Sequence, residues 1–221
     1  MGASATDVLV WVSGSGLAIA GAVFLFGVVL RLFEIFLLGR APDLAAPREV
    51  TPGSGLRTIW TRSLPPQGML RRSPVTYVGG YVFHVGFLVV VILAAPHIAT
   101  VLNLTGIGWP GLPTPAIDAV ALASIVALVL VMIDRLRNRV KRFLSRFEDY
   151  FVWALTLLPL LTGYMAHHGL LLDYTTMLSL HMLSAEILLV TLPFTKLAHA
   201  FTLFIARWYN GDISARKGVA S

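Results

Sequence analysis

The sequence contains no cysteine. That excludes disulfides, thioether-attached haem, thiolate zinc sites and iron–sulfur clusters held by this chain itself. Any redox or metal centre must use histidine, methionine, tyrosine or carboxylate donors. Charge is also scarce. Only 13% of the 221 residues are charged, against roughly 25% in a soluble domain. Hydrophobic residues make up 57% of the chain, and the mean hydropathy is +0.79. A soluble globule cannot hide that much apolar surface, whereas a bundle in a bilayer need not. The net charge of +6 and pI near 10.1 would suit a nucleic-acid binder. The placement of the basic residues argues against nucleic acid and for a membrane.

Five segments are long enough to span about 30 Å of hydrocarbon. They run about Val8–Leu30 (reaching toward Leu38), Tyr77–Leu102, Ala116–Ile133, Tyr150–Tyr164 and Tyr174–Phe204. The fourth is short and holds Pro159, and the fifth is interrupted by Pro193. The first lacks a basic leader and is too long for a signal peptide. Tyr77, Tyr81, Trp109, Tyr150, Trp153, Tyr174 and Trp208 lie near segment ends, as interfacial aromatics do. There is no internal repeat.

The connections alternate in charge. Residues 1–7, 103–115 and 165–173 carry no Lys or Arg, while 39–76 and 134–149 carry six each and 205–221 carry three. Basic loops stay in the cytoplasm. The expected fold class is therefore an all-α membrane protein, a bundle of five transmembrane helices with the N-terminus outside and the C-terminus cytoplasmic. It forms one domain over residues 1–221, with a cytoplasmic loop at 39–76 and a cytoplasmic tail at 205–221. The long first loop is also a candidate docking surface for a cytoplasmic partner.

Six histidines are present: His84 and His97 in the second segment, His181 and His199 in the fifth, and His167 and His168 in the loop before it. Polar side chains in hydrocarbon are costly and mark function, and neutral imidazole is a standard axial ligand of haem iron. His181 and His199 are 18 residues apart. On one continuous helix that is five turns, so both share a face about 27 Å apart. His84 and His199 fall at similar depth near the cytoplasmic side on antiparallel segments. That is the requirement for a bis-histidine haem b between helices. Gly79, Gly80 and Gly86 would leave room for a flat macrocycle. The outer pair, His97 with His181, fits less well, because His97 points about 140° from His84 on an ideal helix. Pro96 offers a kink that would swing it inward. Alternatives are a proton-relaying transporter, a site for another metal, and an anchoring subunit without a cofactor.

The stretch Leu180–Phe201, LHMLSAEILLVTLPFTKLAHAF, resembles the fifth helix of the gamma, cytochrome b subunit of respiratory nitrate reductases. That helix carries two haem-ligating histidines at this same spacing and ends in Pro-Phe-Ser/Thr-Arg/Lys-Leu-x-His. Here Pro193, Phe194, Thr195, Lys196, Leu197, Ala198 and His199 occupy those places. Phe83-His84-Val85-Gly86 resembles the start of the family's second helix, and Ile19–Arg31 resembles its first helix. Related membrane cytochromes of sulfite reductase-linked and heterodisulfide reductase-like complexes are similar too, and Glu186 looks more like that branch. The resemblance implies that His84 and His199 ligate an inner haem b and His181 an outer one. The family's second ligand in the second helix falls ten residues after the first, at Ala94 here, and the nearest histidine is His97.

The resemblance further implies two haems, or one, in a subunit of the bacterial cytoplasmic (inner) membrane. The chain would carry electrons between quinone or quinol and a cytoplasmic iron–sulfur subunit. It would oxidise quinol or reduce quinone in a respiratory complex and hold no terminal catalytic centre. Quinone chemistry needs proton-accepting groups, for which Glu186, His167, His168 and Asp173 are candidates. Glu186 lies about 140° around the helix from His181, so it bonds a neighbour (Ser179, Ser184 or Thr191) or lines a quinone or proton path. Lys196 and Arg207 would meet haem propionates or snorkel to the headgroups.

Overall fold

The computed structural model describes residues 4–38, 53–65 and 68–219, and every regular element among them is helical. The expected segment 39–52 and residues 66–67 of the first loop lie outside the described residues. Four helices are long and apolar enough to cross a bilayer: Ala5–Phe36, Pro74–Leu93, Thr114–Arg137 and Tyr174–Phe194. Their surfaces confirm why. In Pro74–Leu93 only 6% of the apolar window is buried inside the chain, which leaves a broad apolar face directed outward. Lipid satisfies this, and the backbone polar groups are already paired within the helix.

The first span begins with α1 (Ala5–Trp11), capped by Ser4, whose hydroxyl accepts from the Asp7 N–H. It passes through a single π turn at Val12–Gly16 and continues as α2 (Leu17–Phe36). Within the expected first loop, α3 (Ser54–Thr61) and α4 (Met69–Arg72) form. The expected second segment is two helices, α5 (Pro74–Leu93) and α6 (Ala95–Thr105), because Ala94 is extended with ψ 129°. Pro96 causes the break: it has no N–H to give the Ile92 carbonyl, and its ring would clash there. The Trp109 indole N–H donates to that carbonyl instead at 2.7 Å, and the Leu112 N–H takes the Leu93 carbonyl at 3.0 Å.

Next come α7 (Thr114–Arg137), α8 (Arg139–Leu144) and α9 (Phe147–His168). The expected fifth segment is likewise divided. It comprises α10 (Tyr174–Thr191), two 3-10 turns at Leu192–Phe194 and Lys196–Ala198 around extended Thr195, and α11 (His199–Arg216). Residues 205–216 of the expected tail therefore continue a helix, and that helix packs on α3. Gly55 and Gly211 allow this contact, since a Cβ at Gly55 would lie 2.6 Å from Trp208 and one at Gly211 would overlap Thr58.

Small residues set the packing of α5 on α7. A Cβ at Gly79 would lie 2.8 Å from Val131, and one at Gly86 would overlap the Ser124 hydroxyl. These two glycines thus serve close helix approach, not room for a macrocycle as the spacing suggested. The core beneath them is Ala121, Ser124, Ala127, Leu128 and Met132 of α7. From α9, the Trp153 indole N–H reaches the Leu128 carbonyl at 3.0 Å. The remaining face of α9 packs on α10, which in turn packs on α1 and α2.

The break after α10 is held from two sides. A Cβ at Gly27 of α2 would lie 2.7 Å from the Pro193 ring, and Arg31 Nε donates to the Pro193 carbonyl at 3.0 Å. From α9, the Glu148 carboxylate accepts the Lys196 N–H at 2.9 Å and Asp149 pairs with the Lys196 ammonium at 2.9 Å.

Candidate functional site

Four histidines meet as two pairs. The ring centroids of His84 (α5) and His199 (first residue of α11) are 6.1 Å apart, with the planes at 66°. Those of His97 (α6) and His181 (α10) are also 6.1 Å apart, at 19°. The Ala94 break re-aims α6, so the 140° offset expected for His97 on a continuous helix does not arise. The break at Thr195 likewise means that His181 and His199 do not share one helix, yet each has a partner from the 84–97 segment.

Each ring is oriented by one backbone carbonyl. His84 Nδ1 lies 2.7 Å from Gly80 O, His97 Nδ1 2.9 Å from Val90 O, His181 Nδ1 2.9 Å from Pro159 O and His199 Nδ1 2.7 Å from Lys196 O. A carbonyl only accepts, so each Nδ1 carries a proton, and it is Nε2 that is left to ligate. Metal-bound histidines are held in this way, with the non-ligating ring N–H fixed by a carbonyl or carboxylate. The spacing agrees. A metal–imidazole bond is about 2.0 Å and a ring centroid lies about 1.1 Å behind its nitrogen, so two rings on opposite sides of one ion stand roughly 6.2 Å apart. The donor set, two neutral imidazoles per pair, is that of a bis-histidine haem iron. Gly80, one turn before His84, has nothing within 4 Å of a Cβ position, which leaves open the face beside that ring.

Gly163 is part of this site, although its position in the sequence did not single it out. A Cβ there would lie 2.8 Å from His181 Cε1 and 2.9 Å from Nδ1. Glycine lets the imidazole lie flat on α9 and reach the Pro159 carbonyl.

Glu186 is buried, with 6% of its surface exposed. It faces away from the histidine pairs, against the π turn of the first span. Cβ at Gly16 would lie 2.9 Å from Oε2 and 3.0 Å from Oε1. The Oε1 atom has no hydrogen-bond partner among the described residues. The expected alternatives do not serve it. Ser179, Ser184 and Thr191 donate to the carbonyls of Thr175, His181 and Ile187 in their own helix. Lys196 is engaged with Glu148 and Asp149, and Arg207 donates to the Ser63 hydroxyl at 2.7 Å, so both make protein contacts where propionates or headgroups were expected. His167 and His168 end α9 beside Asp118 of α7, at 3.8 and 3.6 Å from its carboxylate. Asp173 caps α10 by accepting the Thr176 N–H at 3.0 Å.

No family model matches the chain, and no solved structure matches it. It is 31% identical over 154 residues to a protein of Nitratidesulfovibrio vulgaris strain Hildenborough, covering 68% of this chain and 67% of the other. The chain belongs to the family of that protein.

Proposed function

We propose that this chain is a haem b-carrying membrane subunit of a respiratory redox complex, moving electrons between the quinone pool and a cytoplasmic iron–sulfur partner. The observation that carries the reading is the double pair: four imidazoles, each with Nδ1 fixed by a carbonyl, in two couples whose centroids are both 6.1 Å apart. Haem, when bound, supplies one-electron redox chemistry. The chain's residues hold and orient it. His84 and His199 would ligate an inner group, and His97 and His181 an outer one.

In this reading α9 is the fifth span. Its 22 residues cover about 33 Å at 1.5 Å per residue. The alternating Lys and Arg content of the connections supports an N-terminus outside and a C-terminus in the cytoplasm of a bacterial inner membrane. Quinol oxidation releases two electrons and two protons. Glu186 is the candidate proton acceptor of this reading, and the basic inner surface with the α3–α11 platform supports docking of the electron partner. The lack of cysteine supports placing iron–sulfur clusters and the terminal substrate on other subunits.

The test is a dithionite-reduced minus oxidised visible spectrum of the detergent-purified chain, with a pyridine haemochrome assay. Two b-type haems per chain are expected. One haem would remove one pair from the reading, and folded protein without haem would overturn it and favour a proton-coupled transporter built on the same histidines and Glu186.

A further inference from the structure

A third group of ligating side chains meets at the end of the bundle where α7 begins and α9 ends. His167 and His168 are the last two residues of α9, which Gly169 closes at φ 61°. Asp118 stands in the first turns of α7. One ligating atom from each of the three lies within 4.8 Å of the other two. His167 Nε2 is 3.8 Å and His168 Nε2 3.6 Å from the same oxygen, Asp118 Oδ1. The Tyr164 ring packs 4.4 Å from the His168 ring and limits its rotation.

The electrostatic setting calls for a cation. Residues 1–7, 103–115 and 165–173 contain no Lys or Arg. Among the described residues the ion-pair partners of Asp118 are these two histidines, and no Lys or Arg pairs with it. Metal bonds of about 2.0 Å in tetrahedral geometry separate neighbouring donors by roughly 3.3 Å. The observed 3.6 and 3.8 Å need a closure of a few tenths of an ångström, and the third edge, between the two imidazoles, lies within 4.8 Å and closes by up to about 1.5 Å. The side chains are 27% to 52% exposed, so an ion can enter from water.

We propose that Asp118, His167 and His168 bind a divalent metal ion of the zinc class. Two imidazoles and a carboxylate suit Zn(II) and leave a fourth position to water. The ion fastens the start of α7 to the end of α9. The site is separate from the histidine pairs and independent of whether they hold haem, although Gly163, which touches His181, lies one turn before His167 on the same helix.

The experiment is equilibrium dialysis of the detergent-purified full chain, carrying no histidine affinity tag, against zinc chloride in the micromolar range, with metal counted per chain. One equivalent is expected in the wild type and in Asp173→Asn, a carboxylate outside the cluster. Binding at least tenfold weaker is expected in Asp118→Asn and in His168→Gln. Zinc-edge X-ray absorption of the loaded wild type should show imidazole scattering, so the site can be tested without any variant. No stoichiometric zinc, equal binding by wild type and both cluster variants, or an absorption spectrum without imidazole would overturn the proposal and leave the cluster a histidine–aspartate ion pair.

Discussion

Replacing Gly163 with alanine places a methyl group 2.8 Å from His181 Cε1 and 2.9 Å from Nδ1. Ordinary carbon contacts begin near 3.4 Å, so the ring must retreat by about 0.6 Å. Retreat stretches the 2.9 Å bond to the Pro159 carbonyl past its useful range and turns the ring within the pair. Two terms oppose. Alanine favours helix over glycine by about 1 kcal/mol. Overpacking costs about 1–3 kcal/mol, and the lost hydrogen bond about 1 kcal/mol, so the net effect is destabilising. The larger effect falls on ligation, because removing the group that fixes a ligating histidine typically costs about 10–100-fold in metal affinity. If the pairs hold haem as proposed, Gly163→Ala should weaken binding at His97 and His181 while sparing His84 and His199, and the haemochrome assay should fall from two per chain toward one. Two haems with unchanged spectra and thermal midpoint would refute the reasoning.

Trp109→Phe removes the donor to the Ile92 carbonyl that Pro96 leaves free; it should cost about 1 kcal/mol, read as a lowered thermal midpoint in detergent. Gly86→Val should lower the detergent thermal midpoint through a loss of about 1–3 kcal/mol at the α5–α7 contact, whereas Gly80→Ala, with nothing within 4 Å, should raise that midpoint through the helix preference of alanine, about 1 kcal/mol. Hydrogen bonds from Thr176 hold the Asp173 carboxyl below the usual carboxylate range. A depressed pKa stabilises the folded state above the unfolded value and ceases to do so as pH falls through the folded value. The capping contribution of Asp173 should therefore be complete at neutral pH and vanish in acid, and Asp173→Asn should remove that part of the acid sensitivity of the midpoint.

Much of the site was legible because histidine is rare in apolar segments and the matched depths of His84 and His199 follow from counting residues. The pairing of His97 was not, since the angle depended on a continuous helix and Pro96 divides it. What could not be read were contacts between distant parts of the chain: Trp109 with Ile92, Gly163 with His181, Arg31 with Pro193, Glu186 with Gly16. Glycines look alike in a sequence, yet Gly79 and Gly86 seat α7 while Gly80 stands open. The break at Pro193 was visible as a proline, but not its supports, Gly27 on one side and Glu148 and Asp149 on the other. Lys196 and Arg207 read as partners of propionates or headgroups because their protein partners lie 47 and 144 residues away.

All four ring orientations are taken from main-chain oxygens, and three of those oxygens sit in or beside proline-disrupted backbone: Val90, Pro159 and Lys196. A main-chain oxygen is present whatever side chain its residue bears. Over evolutionary drift the lipid-facing positions around the histidines, such as Val85, Leu88 and Val91, can exchange freely among apolar residues without changing how any imidazole is aimed. Insertions and deletions are different, because shifting a proline by one place removes the oxygen from reach. Descendants of this chain should therefore vary in letters far more readily than in spacing.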